Sequence, residues 1–506
     1  MKLSRPTLKD IVSDKVVKPD ADLLALPEKV LQFGTGVLLR GLPDYFIDKA
    51  NRKGLFNGRI VVVKSTTQGD TTAFDTQDGL YTLCVRGLQN GHKVEENIIQ
   101  SAVSRVVNAA THWEQVLQCA HNPDLQVIIS NTTEVGIQLV DDDIRLQPPV
   151  SFPGKLLAFL YERYQAWKGS AESGMVIIPT ELIPDNGNQL KAVILQLAQA
   201  NQLEAAFIEW LHNANSFCNS LVDRIVPGRP DAATLSLLQE ELGYEDQLLI
   251  LSEVYRLWAI EGDERVKQKL SFAPADPGVI IEPDIKIYRE LKLRLLNGTH
   301  TLSCGLAFLA GCETVKEAME DTLVADYIAG LMLHELAPAI PYEVSPAVAQ
   351  EFGASVLDRF RNPFIRHQWI NITLQYSSKI KTRCVQVLLK HYALYQTVPE
   401  HMALGFAAYL LFTRPVRHEN SRYYGVWKGQ EYVIQDDRAA VFYQRWQELQ
   451  VPQLVQETLL DKEFWGADLS ILPHFTQAVT DRLNSLIHNG IRETMAAVVP
   501  NMGVGK

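Results

Sequence analysis

Cysteine is scarce in this 506-residue chain. There are six, at Cys84, Cys119, Cys218, Cys304, Cys312 and Cys384, and no two of them form a CxxC pair. That spacing excludes a zinc ribbon and a thioredoxin-type redox site. It predicts scattered buried thiols in a reducing cytoplasm. Positive charge is also in deficit: Lys plus Arg number 48 against 59 Asp plus Glu, a formal net charge of −11. A phosphate-backbone binder needs a basic face, so no nucleic-acid partner is expected. Met1 to Pro19 is charged throughout and lacks the apolar core of a secretory leader. The longest apolar stretch, around Met402 to Phe412, falls short of the ~20 residues that span a bilayer, and no membrane partner is expected. Internal repeats and low-complexity tracts are missing as well.

What is present is ample core material, with 46% hydrophobic residues. A short apolar strand, Lys29 to Phe33, runs into Gly34-Thr35-Gly36 and then Val37-Leu38-Leu39-Arg40-Gly41. A helix is predicted over 42–52 and a β-branched strand over 59–63. Further strands are expected at 126–130 and 175–178, with helices between. Buried strands alternating with helices predict an α/β, doubly wound, mostly parallel sheet. Beyond the proline-rich stretch Ser271 to Asp284, read as a linker or an extended crossover, strand signals become rare and helical spacing dominates. The predicted organisation is an N-terminal Rossmann-type dinucleotide-binding domain, 1–280, and a mostly α-helical substrate or catalytic domain, 281–506.

A glycine turn between a strand and a helix is what a pyrophosphate needs: room for close backbone approach, free N–H groups and a positive helix end. The third glycine of GxGxxG is replaced by Leu39, and Gly41 is expected to relieve helix–strand contact instead. The second strand ends at Lys64 without the usual acid. Lys64 suits the 2′-phosphate of NADP, whereas Asp70 or Asp75 further on suits NAD, so the residues alone leave both open. In the C-terminal part, Lys292, Asn297 and His300 are spaced to fall within an arc of roughly 140° on an α-helix. A lysine there can move the proton of an alcohol as hydride leaves its carbon, and the amide and imidazole can hold the developing oxyanion. His334-Glu335-Leu336-Ala337-Pro338 lacks the second His of a zinc-protease helix and reads as a helix end. Residues 417–435 read either as a lid or as a surface connection.

The spacing Lys, four residues, Asn, two residues, His resembles the catalytic pattern of the polyol-specific long-chain dehydrogenase/reductase family, also called the mannitol dehydrogenase family. The block Phe217 to Pro227 resembles a second motif of that family, departing only at Asn215. The resemblance implies a Rossmann-type domain followed by a helical one, NAD as cofactor and no catalytic metal. It implies Lys292, Asn297 and His300 as catalytic residues. It also implies cofactor contacts from Val30, Leu31, Gln32, Phe33, Gly34, Thr35, Gly36, Val37, Leu38, Leu39, Arg40 and Gly41, with Thr133 and Glu134.

Segments Gln32–Gly34, Thr76–Thr82, Ser130–Glu134 and Glu181–Ile183 resemble the uronate-reducing members of the family. They imply a small keto-uronate/aldonate substrate pair, with another hexuronate or a free polyol as the alternative, and a monomer or homodimer. Polyol members have a second oxyanion Asn where Leu182 stands; here either the oxyanion hole rests on Asn297 and His300, or Asn186 reaches in. They carry an Arg where Asn371 stands, whereas Lys379 keeps their later cation. Asp223 is expected to face substrate hydroxyls or tune Lys292, and Lys379 with Arg383 to hold the carboxylate. A non-catalytic nucleotide sensor is the competing class, and an intact Lys292, Asn297 and His300 argues against it. Because substrate and cofactor are both anions in a chain of net charge −11, cations must be concentrated locally.

Overall fold

A computed structural model describes residues 1–66, 70–132 and 136–499. The chain divides into two compact units, Met1–Gly87 with Lys93–Ile285, and Leu88–His92 with Lys286–Lys506. Strands up to residue 282 are β1 Glu28–Phe33, β2 Arg59–Lys64, β3 Tyr81–Gln89, β4 His92–Gln100, β5 Val103–Asn108, β6 Val127–Ser130, β7 Val176–Pro179, β8 Ser216–Phe217, β9 Ser220–Asp223, β10 Ile250–Glu253, β11 Leu257–Glu261 and β12 Val279–Glu282. A six-stranded sheet has the order β5-β2-β1-β6-β7-β8, parallel at every pairing. The chain therefore winds outward from β1 in both directions, and the switch in strand order lies between β1 and β6. That is the edge where doubly wound sheets bind ligands. β2 is buried at every residue, as a strand covered on both faces must be.

Smaller sheets, β10-β3-β4 and β12-β11-β9, complete this unit. β3 and β4 are not among the strands expected from the sequence; β4 is half exposed and charged, with His92, Lys93, Glu95 and Glu96 on its outer part. Ser271 to Asp284 is no simple linker: a 3-10 turn at Ala273–Ala275 leads into β12, which pairs parallel with β11.

After β1 the chain forms α1 Val37–Gly41 and α2 Pro43–Arg52. The break between them falls at Leu42, ahead of Pro43, which has no N–H to continue the first helix. α2 is buried along most of its length, including Asp44. Both Asp44 carboxylate oxygens lack a hydrogen-bond partner, and burial pushes the carboxyl up to about 8, with Gln32, Arg40 and Tyr81 as its polar neighbours. Asp48, one turn on, is satisfied by Ser101 N, Ser101 Oγ and Arg52 Nε. α3 Asn186–Ala200 follows β7.

The second unit is mostly helical. α4 Lys286–Leu291 runs through a π-helical turn, Lys292–Gly298, into α5 Thr299–Ala310. α6 Pro346–Phe360, α7 Tyr376–Arg383 and α8 Glu400–Phe412 follow. The long apolar stretch proves to be the C-terminal part of α8, buried from His401 to Phe412. Its first-turn amides are capped from another element: Glu335 accepts from His401 N and Nδ1 and from Met402 N. Glu335 sits in a second π-helical turn, Leu331–Leu336, so the segment around His334 does end a helix. Residues 417–434 form an antiparallel three-stranded sheet, β13 Arg417–Glu419, β14 Arg422–Trp427 and β15 Gln430–Ile434. Among the described residues, no helix is long and apolar enough to cross a membrane. All six cysteines are buried and unpaired.

Asp44 yields a stability prediction. An unfolded chain loses this proton as pH passes the ordinary value of 3.8, while the folded chain keeps it to about 8. Folding is therefore progressively penalised between those limits and not below them. Asp44→Asn removes the ionisable group. Thermal unfolding scans should show a higher Tm than wild type at pH 8, with the gain shrinking towards zero near pH 4.

Candidate active site

In the first unit the site is the turn after β1. Gly34 has φ +127°, and a Cβ there would lie 3.0 Å from Leu39 Cδ1 and 3.1 Å from the Asn131 carbonyl oxygen. Only glycine relieves both constraints. Gly36 precedes α1 with extended backbone and no capping side chain, and a Cβ on it would project into open space. As at any helix start, the first-turn amides have no intrahelical acceptor. Backbone donors, a turn closed to side chains at Gly34 and open space over Gly36 together fit an anionic pyrophosphate.

Gly41 plays the expected relieving role, against a partner that the sequence did not name. A Cβ there would sit 2.8 Å from both Val226 methyls, inside the Phe217–Pro227 block. Arg224 of the same block donates from Nη1 to Gly41 O at 2.6 Å and from Nε to Glu253 O, with its guanidinium over the Tyr45 ring. The two sequence motifs are thus packed onto each other.

Several expected contacts are corrected here. Val30 and Leu31 are fully buried in the sheet and have no side chain to offer a ligand. The Arg40 guanidinium turns away from the turn, donating to Leu248 O at 2.7 Å and lying over Phe74 and Tyr81. Lys64 is buried and its ammonium donates to Thr66 O. Thr133 and Glu134 lie outside the described residues. Gln32 and Phe33 are buried at the strand end, and Gln32 Nε2 donates weakly to Gly34 O at 3.4 Å.

Asn186 is the clearest correction. Its Nδ2 donates to Pro179 O, Glu181 O and Ser220 O, and its Oδ1 accepts from Gly187 N and Ser220 N. Fully engaged with backbone, it has no donor left for an oxyanion and serves to tie α3 to β7 and β9. Leu182, at the place of the missing Asn, is 62% exposed. Glu181 is a residue that sequence reasoning missed. Buried, it accepts from Ser130 Oγ, Thr132 N and Thr132 Oγ1, while Asn131 Nδ2 donates to Thr180 O and Oγ1. The signal lies in the sequence, where Ser130–Glu134 and Glu181–Ile183 share one family resemblance. Asp223 ends β9, buried, opposite Leu257 of β11.

In the second unit Lys292 opens the π-helical turn and Asn297 lies in its last part. Such a turn closes i→i+5 rather than i→i+4. It brings residues five apart close to one line, so Lys292 and Asn297 align better than the α-helical spacing predicts. His300, three residues on, is buried. Its ring packs on Phe360 at 4.1 Å between centroids and meets His367 and Trp369 edge-on at 5.1 and 5.7 Å. Nδ1 has no hydrogen-bond partner. Burial, then the electrostatic influence of His367, Arg359, Arg383 and Lys379, holds the imidazole well below its ordinary value of 6.5. It is neutral, and so can donate one hydrogen bond and accept another.

The expected local concentration of cations is here. Lys379 and Arg383 lie on α7, half-buried. Lys379 Nζ donates to Ile372 O at 2.9 Å and Arg383 Nη1 to Thr301 Oγ1 at 3.0 Å. Desolvation lowers both, and no carboxylate is among the charges acting on either. Arg359, on α6, was not anticipated. Arg366 pairs with Glu313 on the exposed surface. Among the described residues no group of three or more His, Cys, Asp or Glu side chains is placed to hold a metal ion.

A neutral buried His300 makes a spectroscopic prediction. In an NMR titration its imidazole should show no protonation step between pH 8 and pH 5.5, and a step near 6.5 would contradict the burial argument.

Comparisons with known proteins bear on both units. The Mannitol dehydrogenase Rossmann domain family matches residues 28–273 and the Mannitol dehydrogenase C-terminal domain family residues 284–487. Among curated relatives, an altronate oxidoreductase of Bacillus subtilis (strain 168) is 38% identical over 475 residues, covering 93% of this chain and 95% of its own. That of Halalkalibacterium halodurans is 36% identical over 488 residues, 94% of each chain. Among solved structures, mannitol 2-dehydrogenase of Pseudomonas fluorescens, in a ternary complex with NAD and D-mannitol, superposes with a TM-score of 0.65 at 22% identity, over 98% of this chain and 99% of that one. A substrate-free D-sorbitol dehydrogenase gives 0.75 at 20% identity, over 98% of this chain and 100% of that one.

Proposed function

The chain belongs to the mannitol dehydrogenase family, and from that premise we propose that it interconverts D-tagaturonate and D-altronate with NAD(H), in the catabolism of hexuronates. The coarser statement stands without proposal: this is an oxidoreductase of CH–OH groups, a polyol or sugar-acid dehydrogenase. The single observation that carries the finer reading is the pair Lys379 and Arg383, half-buried, lowered by desolvation and without a protein carboxylate. Cations so placed are costly unless a ligand brings the anion, and a uronate carboxylate is such an anion. The altronate oxidoreductases at 36–38% identity support the same choice.

In this reading Lys292 donates a proton to the nascent alkoxide in reduction and accepts it in oxidation. Asn297 and neutral His300 donate hydrogen bonds to the same oxygen, stabilising negative charge as it develops. Arg383 and Lys379 anchor the far carboxylate, so the carbonyl carbon is positioned from both ends. Asp223 orients substrate hydroxyls. The amides after Gly34 hold the pyrophosphate of the cofactor, which when bound supplies the two-electron redox chemistry. Lys64 is buried at the end of β2, away from an external 2′-phosphate, which supports NAD over NADP.

Parallel assays of NADH and NADPH oxidation with tagaturonate, fructuronate and fructose test the substrate reading. Tagaturonate with NADH should be fastest, and a preference for fructose would refute it. Lys292→Ala should lower kcat by roughly 10²–10⁴-fold, the usual contribution of a general acid–base, and near-normal turnover would remove Lys292 from the mechanism. Arg383→Met should raise KM for tagaturonate by about ten-fold or more, the loss expected for a hydrogen bond to a charged group. An unchanged KM would move the carboxylate elsewhere.

A further inference from the structure

We propose that Thr301 is a positioning residue that aims Arg383 at the substrate carboxylate and links that cation to the catalytic turn. The proposal rests on the carboxylate reading above. Thr301 is fully buried in the first turn of α5, next to His300. Its Oγ1 accepts from Arg383 Nη1 at 3.0 Å and donates to Asn297 O at 2.7 Å. One hydroxyl therefore joins a cation of α7 to the backbone of Asn297 in the π-helical turn.

The direction of this chain is fixed by chemistry. A guanidinium only donates and a carbonyl only accepts, so the Thr301 proton must lie towards Asn297 and a lone pair towards Arg383. The contact to Thr301 is the hydrogen bond that the Arg383 guanidinium makes among the described residues. Its remaining N–H groups are available to an external acceptor.

The choice of a hydroxyl matters. Buried arginines are commonly held by carboxylates, which fix the fork and also cancel its charge. Arg294, in the same turn, shows that pattern: Nε donates to Glu290 at 2.9 Å, and Nη1 to the carbonyls of Thr382 and Arg383 at the end of α7. Arg383 is instead held by a neutral group, which orients the fork and leaves its full charge for an anion. Arg294 and Thr301 act on neighbouring parts of one corner, the first holding the backbone of residue 383 and the second its side chain. A ligand carboxylate on Arg383 would thus tighten a path that ends at the carbonyl of Asn297, whose side chain is expected to hold the substrate oxygen.

Thr301→Val keeps the shape and removes the hydroxyl, and Thr301→Ser keeps the hydroxyl. The measurements are kcat and KM for tagaturonate with NADH, and the inhibition constant of the corresponding neutral hexitol, for the full-length wild type and both variants. Thr301→Val should raise KM about ten-fold or more, with kcat lowered less than about three-fold and the hexitol constant unchanged, as expected for weakening one hydrogen bond to a charged group. Thr301→Ser should restore the wild-type KM. An unchanged KM in Thr301→Val would overturn the proposal. So would KM and the hexitol constant rising together, or a Thr301→Ser enzyme as weak as the valine variant. The wild type is read first: if it fails to prefer tagaturonate over fructose, the carboxylate reading itself has failed. If it does prefer tagaturonate and the variants show no split, only the role of Thr301 falls.

Discussion

Positive charge left without a counter-charge inside a folded unit is expensive, and the second unit is built to hold such charge in place. Lys379 and Arg383, on α7, are such charge, and both act electrostatically on the buried His300 ring. The stabilising contacts that Lys379 and Arg383 do make are with a carbonyl and a hydroxyl. Neutral acceptors orient a cation without cancelling its field. Burial first, and the same field with it, keeps His300 uncharged, because a further proton there would add a like charge in a desolvated place. In a chain with net charge −11, a local reversal of sign of this kind is a feature that the rest of the unit must support. The π-helical turn, the Arg294 brace and the capped helix α8 are its supports.

The first unit solves a different problem, the close approach of backbone elements around a turn that must stay bare. Gly34 is held in a conformation only glycine adopts comfortably, and Gly41 makes room for Val226. Arg224 then ties α1 to the strand block through Gly41 O. Glu181 and Asn186 do the corresponding work after β6 and β7, with buried polar side chains satisfying backbone groups that would otherwise be stranded. Motif residues that look like chemistry in the sequence thus include several whose work is architectural. Asn186 and Arg40 belong there, since their polar groups are already engaged by the protein.

Periodicity carried most of the sheet. β2, β6 and β7 are short, rich in β-branched residues and buried, and β1 is buried from Val30 to Phe33, so their apolar runs are nearly continuous and visible. β4 was hidden because a half-exposed strand mixes charged residues into its run, whereas β3 is buried over most of its length and was passed over with it. The Lys292, Asn297 and His300 spacing was legible as a constellation, but its geometry was computed for an α-helix, and the wider turn that aligns Lys292 with Asn297 leaves no mark in the residue types. Lys379 and Arg383 were legible only as a basic stretch, the same signal that a solvated helix face gives.

The sequence by itself therefore determined the fold class, the bare glycine turn and the identity of the residues with chemistry to offer. These follow from local rules: apolar period, the backbone freedom of glycine and the titration range of side chains. Only the tertiary structure decided which of those residues are already engaged. A donor's availability depends on what other elements, distant along the chain, bring against it. Asn186 is occupied by Ser220, Arg40 by Leu248, and Arg383 is left open because its neighbour across two helices is a threonine and not a carboxylate.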